Sequence, residues 1–311
     1  TMTVGPGFAP DTVRVMSAEN RSLSTCFCPK TLPFWGVHVG ALVGIAVSGW
    51  SWMGLGLAVA SYFLRMFFIT GWYHRYFSHR SYRTSRVAQF FLAFFAQTSV
   101  QKGVLWWAAH HRDHHKYADG PGDPHSPRLD GLWHAHVGWI LDATNERTEV
   151  RKVSDLGRYP ELVWLDRWHL LPPIVYAVAL FLVGGWFALL WGFFVSTVMT
   201  WHGTFTINSL THVFGVPRFA VSDESKNSWL LAIITMGEGW HNNHHYYQSS
   251  ARQGFLWWEY DFTYYILRAL AALNIVWDLR EPNGKVLVKH GEGFDSAQPR
   301  QSLLSAFAAS L

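Results

Sequence analysis

The chain has 311 residues, a mass of 35.6 kDa and a formal net charge of +4. Half of it is hydrophobic and 15% is charged, against roughly 25% charged in an average soluble domain; this balance excludes a disordered chain and argues against an ordinary soluble globule. The two cysteines, Cys26 and Cys28, exclude a disulfide framework, a four-cysteine zinc site and a cysteine-ligated iron–sulfur cluster.

Residues 1–30 are polar and hold no apolar core of a secretory signal, so they read as a cytosolic N-terminal tail. Four apolar runs follow, at about 32–50, 52–70, 170–190 and 191–207. Each has the length of a helix crossing ~30 Å of hydrocarbon. Gly49 and Gly54, then Gly184, Gly185 and Gly192, mark reversals. The reading is two helical hairpins and four spans. Buried helices of a soluble protein are the plain alternative, and charge placement argues against them. Of 25 Lys and Arg only Arg65 falls inside a span, and neither reversal carries any. The remaining basic residues share one side, which is cytoplasmic by the positive-inside rule. Arg65 is expected to extend its head to the interface. The N-terminal tail, residues 73–169 and residues 208–311 then all face the cytoplasm.

Residues 86–107 differ from the spans. Val87, Phe90, Phe91, Phe94 and Phe95 lie at helical spacing among Gln89, Gln97, Gln101 and Lys102. That pattern predicts one helix lying in the membrane interface. The fold class expected is an all-α integral protein of the inner (cytoplasmic) membrane. Its single domain covers 31–280, with a cytosolic helical cap at 73–169 and 208–280 and a tail at 281–311.

Seventeen histidines are the unusual feature. His74 and His79 follow the second span, five residues apart. His111, His114 and His115 form an H-x-x-H-H triplet, and so do His241, His244 and His245. His212 follows the fourth span, with Asn208 one turn before it. Positions i, i+3 and i+4 share a helix face, so each triplet can point one way. His74 and His79 can converge if the helix ends between them. Any one of these pieces alone is more simply a surface feature. Together, on one membrane face, they predict a metal site. Nine imidazoles suit two metals with four or five ligands each, and imidazole accepts Zn, Cu, Fe or Ni. His38 and His202 lie in spans and read as packing or hydrogen-bonded residues. His110, His125, His134, His136, His169 and His290 lack ligand spacing. Asp113, Asp119, Asp123 and Glu238 are placed to orient ligating rings.

With these motifs the chain resembles the membrane fatty-acyl desaturases, in the stearoyl-CoA (Δ9) branch and the bacterial type without a fused cytochrome b5. The residues are HRYFSHR at 74–80, HRDHHK at 111–116, DPHSPR at 123–128, HVGW at 136–139, NSLTH at 208–212 and GEGWHNNHH at 237–245. They cover about residues 31–280 in the family's order. Single H-x-x-H-H boxes are shared with hydroxylases, whereas the NSLTH and GEGWHNNHH pieces point to desaturases.

The resemblance implies a four-span, mushroom-like fold over a di-iron centre. Its ligands are His74, His79, His111, His114, His115, His212, His241, His244 and His245, and Asn208 holds a metal-bound water. Such enzymes reduce O2 and remove two hydrogens from a saturated acyl chain, leaving a cis double bond. A purified sample can carry zinc in place of iron. Electrons must come from outside: no dinucleotide turn, cytochrome b5-like HPGG or iron–sulfur motif is present, so a ferredoxin, a rubredoxin, or cytochrome b5 with its reductase is implied. Ala58 and Tyr62, one turn apart on the second span, are candidates for the end of the acyl tunnel, with ordinary packing as the alternative. One departure concerns the carrier. Acyl-CoA desaturases typically place Arg-Asp before the second histidine box, to contact the CoA head group; here the pair is Ala109-His110. A basic pair expected after Trp139 has no match either. The substrate is thus a fatty-acyl-CoA or a phospholipid-linked chain. A di-iron hydroxylase or alkane monooxygenase is the competing enzyme. A metal transporter is the competitor from another class, but transporters place ligands near the midplane.

Overall fold

The structure, a computed structural model, describes residues 29–283. The expected tails, together with Cys26, Cys28 and His290, lie outside those residues except for 29–30 and 281–283. Helix α1 (Leu32–Ser48) starts at Pro33, where a missing N–H is harmless, and stops at Gly49, whose φ is +78°. Ser51 begins α2 (Trp52–Phe68) by accepting from the Gly54 amide at 3.1 Å. Then come α3 (Arg86–Gln97), α4 (Val104–Tyr117), α5 (Leu171–Leu189) and α6 (Ser196–Ser209). Among the shorter helices are α7 (Trp229–Ile234), α8 (His241–Tyr246) and α9 (Phe262–Ala272). Strands β1 (Arg83–Thr84) and β2 (Val276–Trp277) pair antiparallel, Arg83 opposite Trp277.

Among the described residues, three helical stretches are long and apolar enough to cross a membrane: Pro29–Ser48, Trp52–Ser78 and Leu171–His212. The third is broken at Gly184 and Gly185. Gly185 has φ +59° and ψ −151°, a region essentially reserved for glycine. The chain folds back there. The Ser61 hydroxyl reaches both the Tyr176 hydroxyl, at 2.6 Å, and the Gly192 carbonyl, at 2.7 Å. On a straight helix those two residues would stand about 24 Å apart. The reversal therefore lies at 184–185, not at the expected 190–191 boundary, because only glycine reaches the required backbone angles. Gly192 has another use: with Gly44 and Gly54 it lets helices approach, and a Cβ at Gly54 would stand 2.4 Å from the Trp191 ring. Gly185→Ala should lower stability by about 1–3 kcal/mol, read as an earlier thermal transition of the purified protein.

Arg65 does not extend to an interface. The helix continues past it to Ser78 as a π-helical run, Ile69–Ser78, and the side chain is fully buried. Its guanidinium donates to the Thr98 carbonyl at 3.3 Å, to Thr197 at 2.8 Å and to Ser196. Three hydroxyl and carbonyl oxygens replace the water that the interface would have supplied.

Residues 86–107 are not one helix. The chain leaves helical geometry between α3 and α4, where Val100 and Lys102 have φ of +59° and +64°. The Gln97 side chain accepts from the Val104 amide at 3.2 Å, and Asp166 accepts from Leu105 and Trp106 at 2.9 and 3.0 Å. These side chains cap α4. Gly103 is required beside them, since a Cβ there would stand 2.0 Å from the Asp166 carboxylate. On α3 the amphipathic sense is inverted. Val87, Phe91 and Phe95 are exposed, while Gln89 and Gln97 are buried. An apolar outer face suits the lipid interface expected of this segment.

Candidate metal centre

The π-helical run solves the spacing of the first histidine pair. Its i→i+5 bonding brings residues five apart onto one side. The His79 amide donates to the His74 carbonyl at 3.2 Å, and the two rings stand 4.8 Å apart. The helix widens through this run and ends at Ser78, between the two histidines, with His79 as its C-cap. Buried Trp72, Tyr73, Tyr76 and Phe77 pack this run against Leu105, Ala108 and Ala109 of α4. That packing sets His74 and His79 beside His111 and His115. The triplet on α8 meets them from the other side, and His212 arrives on a tight turn after α6.

The nine histidines form two groups. His74, His79, His111, His115 and His244 have ligand nitrogens within 4.8 Å of one another, and so do His114, His212, His241 and His245. Opposed Nε2 atoms stand 3.0 Å apart for His74 and His244, 2.8 Å for His79 and His111, and 2.9 Å for His115 and His244. In the second group the spacings are 3.3 Å for His114 and His245 and 3.1 Å for His212 and His241.

The outer nitrogens make these two groups fit to hold a cation. His114 Nδ1 faces Asp123 at 3.0 Å, His212 Nδ1 faces Asp119 at 2.7 Å and His245 Nδ1 faces Asp223 at 2.8 Å. His74 Nδ1 stands 2.5 Å from Glu238. Each carboxylate accepts a hydrogen bond from its ring's Nδ1–H, so each Nε2 turns a bare lone pair inward. Two bare nitrogens 3.3 Å apart, as at His114 and His245, repel unless a cation lies between them. Nitrogens at right angles, each about 2.1 Å from a shared ion, stand about 3.0 Å apart. The spacings fit that geometry. Burial and the neighbouring rings also hold His79, His111, His115, His241 and His244 well below the ordinary imidazole value, so their lone pairs are free at neutral pH. Burial alone would raise the Asp119 carboxyl, but His212 and nearby donors lower it to about 2.

Asp113 does not take part; it pairs with Lys152 at 2.5 Å because it sits on the outer face of α4. Asp223 was not among the expected carboxylates. It reaches His245 from a loop distant in sequence, and no local spacing marked it. Arg75 joins the support. Fully buried, it bonds Glu238 at 3.0 Å and Asp261 at 2.9 Å.

Beside the first group opens a largely apolar cavity of about 380 Å³. Trp106, Trp107, Trp139, Leu141, Trp201 and Phe205 line it; His111, His125 and Asn208 are also on its wall, and Lys30, Lys102, Glu146 and His169 border it. His125 is buried and its ring lies 4.3 Å from that of His114. His110 is turned back on its own helix, with Nδ1 2.9 Å from the Trp106 carbonyl. Ala58 and Tyr62 are buried, but Tyr62 donates to the Ile234 carbonyl at 2.6 Å, and neither lines this cavity. His38 and His202 are hydrogen-bonded to each other at 3.1 Å, and His202 also to His136.

Long apolar helices, buried carboxylate-backed histidine groups and an adjoining apolar cavity are the features of a membrane-associated protein with a site fit for metal ions. Residues 50–278 match the family model described as Fatty acid desaturase, and the chain belongs to that family. It is 35% identical over 253 residues to the sn-1 stearoyl-lipid 9-desaturase of Anabaena variabilis, covering 81% of this chain and 93% of the relative. It is 34% identical over 252 residues to the acyl-CoA C20 Delta5-desaturase of Anemone leveillei, covering 80% of each. It is also 35% identical over 275 residues to the hex-5-enoyl-[acyl-carrier protein] acetylenase of Moorena producens, covering 80% of this chain and 84% of the relative. The protein is a fatty-acyl desaturase, an oxidoreductase of lipid metabolism.

Proposed function

We propose that the enzyme is a di-iron, O2-dependent acyl-lipid desaturase that places a cis double bond at the Δ9 position of a saturated chain. The observation that carries this is the pair of buried histidine groups beside a largely apolar cavity of about 380 Å³. His74, His79, His111, His115 and His244 would hold one iron. His114, His212, His241 and His245 would hold the other, with Asn208 holding a bound water. Iron at these positions supplies the reduction of O2 and the removal of two hydrogens from an unactivated chain. The balance is one saturated chain, O2, two electrons and two protons, giving one alkene and two waters.

The chain's own residues do the rest. The tryptophan-lined wall excludes water and holds the acyl chain beside His111, His125 and Asn208. Asp119, Asp123, Asp223 and Glu238 lock the imidazole tautomers. The electrons come from a separate donor: a ferredoxin, a rubredoxin, or cytochrome b5 with its reductase. Four membrane spans, formed by α1, α2 and the two arms on either side of Gly185, anchor one domain over residues 31–280. The metal-binding cap and both termini lie on the cytoplasmic side, as the distribution of Lys and Arg supports.

A membrane lipid is the favoured carrier. At the position where acyl-CoA enzymes typically carry Arg-Asp stand Ala109, which is buried, and His110, which is bonded to its own helix. Neither offers a cation to a CoA phosphate. The test is a lipid analysis after short induction in a host supplying an electron donor, with His115→Ala as control. New double bonds appearing first in phospholipids and absent from the control support the reading. First appearance in the acyl-CoA pool overturns the carrier, and hydroxylated chains overturn the reaction. The same assay addresses the chain-length stop. Tyr62→Ala should leave the chain-length profile unchanged and Trp201→Ala should lengthen it, since only Trp201 lines the cavity; the reverse result returns the stop to Ala58 and Tyr62.

A further inference from the structure

Three histidines outside the metal centre form a continuous hydrogen-bonded chain. His38 Nδ1 faces the Phe34 carbonyl at 2.9 Å, and His38 Nε2 faces His202 Nε2 at 3.1 Å. His202 Nδ1 faces His136 Nε2 at 3.0 Å, and His136 Nδ1 faces the Ser209 hydroxyl at 2.9 Å. The Ser209 oxygen in turn stands 2.8 Å from the Phe205 carbonyl. The chain thus ends on a carbonyl at both ends.

Counting protons fixes its state. Five contacts need five protons. Three neutral imidazoles bring one each and the hydroxyl brings one, so a neutral chain is one short. A bare ring nitrogen held against the Phe34 carbonyl cannot turn away, whereas the Ser209 hydroxyl can rotate. The gap is assigned to the Ser209–Phe205 contact, where the hydroxyl would turn from the Phe205 carbonyl, to which it otherwise donates, toward His136 Nδ1. Every tautomer follows: His38 carries its proton on Nδ1, and His202 and His136 carry theirs on Nε2. Ser209 donates to His136 Nδ1.

The chain ties three elements that are also three walls of the cavity. His38 lies on α1, which contributes Phe34 and Val37 to the wall. His202 lies on α6, which contributes Trp201 and Phe205. His136 lies on the π-helical run His134–Gly138, which leads directly into the short helix Trp139–Leu141, the third wall, through Trp139 and Leu141. Phe34 stacks on Trp201 with ring centroids 5.0 Å apart, directly beside the tie. We propose that His38, His202 and His136 are positioning residues that set the cross-section of the acyl cavity by holding these three walls in register through a one-way hydrogen-bond chain. The use assigned to the cavity rests on the acyl-desaturase reading above; the hydrogen-bond chain itself does not.

The surroundings keep the chain neutral at ordinary pH. The rings' other neighbours are Phe34, Trp35, Trp201 and Phe205. The groups acting on His202 electrostatically are His136 and His38 themselves. Near His136, His134 is turned to the Pro124 carbonyl at 3.1 Å and toward Asp130 on its own side. Burial holds the His136 imidazole below its ordinary value.

The test uses the full-length enzyme in lipid nanodiscs with 15N-labelled histidine. Solid-state NMR should show His38 protonated at Nδ1 and His202 and His136 at Nε2. In His202→Phe, which removes both central links, the preference at His38 and His136 should be lost. The KM for the acyl substrate should rise on the order of tenfold, the equivalent of losing a hydrogen bond or two. The kcat should stay within about twofold, and chain-length selectivity should broaden. His38→Gln, which keeps a polar side chain but no coupled tautomer, guards against a misfolded His202→Phe and should give the same KM rise. Mixed or opposite tautomers overturn the chain. The stated tautomers with an unchanged KM in both variants overturn the positioning role. If the tautomers hold and a fluorescent fatty-acyl probe fails to bind the unmodified enzyme, the acyl-cavity reading fails instead.

Discussion

On the di-iron reading proposed above, replacing His244 with Ala should reduce iron content from two ions per chain to about one, and desaturation should fall by more than about 100-fold. The size follows from position. His244 Nε2 lies 3.0 Å from His74 Nε2 and 2.9 Å from His115 Nε2, and the ring is almost fully buried. Alanine leaves the remaining four rings of its group, His74, His79, His111 and His115, around a gap that water must fill. Loss of an orienting partner alone costs roughly 10–100-fold in affinity or activity, so loss of the ligand itself should exceed that. Asp223→Ala is the matched comparison. It should fall inside the 10–100-fold range, because His245 stays in place but loses the carboxylate that fixes its tautomer. Metal analysis of the purified proteins, with product measured by mass spectrometry, checks both. Full iron content in His244→Ala would remove that residue from the ligand set.

Arg75→Met should destabilise the protein by about 3–5 kcal/mol, the cost of breaking a buried ion pair from one side. Arg75 has no exposed surface and neutralises Glu238 and Asp261, both also buried. Its guanidinium further donates to the Ala251 carbonyl at 2.7 Å. Methionine fills similar volume but strands two carboxylates without a counter-charge. The consequence reaches the metal centre, because Glu238 is the partner of His74. The thermal midpoint should drop by roughly 6–20 °C, and metal retention should fall with it. Adding Glu238→Gln removes one stranded charge, so the double variant should recover part of the lost stability. An unchanged midpoint in Arg75→Met would show that the network contributes little. Differential scanning fluorimetry of the detergent-solubilised protein distinguishes these outcomes.

Several features were legible in the residues because they are local and periodic. The H-x-x-H-H triplets need only helix geometry to align, and α4 and α8 supply it. The apolar runs need only length. Glycine pairs announced the reversals, although only the backbone angles at Gly185 chose which glycine turns the chain. Other features depend on contacts between distant segments. The break after Gln97 arises because the Gln97 side chain and Asp166, the latter from a separate helix region, cap α4. Arg65 is buried rather than extended because Ser196 and Thr197, on the returning arm, meet it with hydroxyls. The π-helical widening at His74–His79 has no marker in the local composition.

By itself, the order of residues determined that this protein is helical, rich in membrane-length apolar segments and equipped with nine histidines at ligand spacing. Those properties follow from hydrophobicity and from the repeat of a helix, which each segment carries alone. Only the tertiary structure decided how nine histidines divide into five and four, that Asp223 serves His245 while Asp113 does not, and which walls enclose the cavity. Each of these is settled by where one segment's side chains fall against another's. That choice is made by packing and by the pairing of buried polar groups, neither of which any single segment specifies.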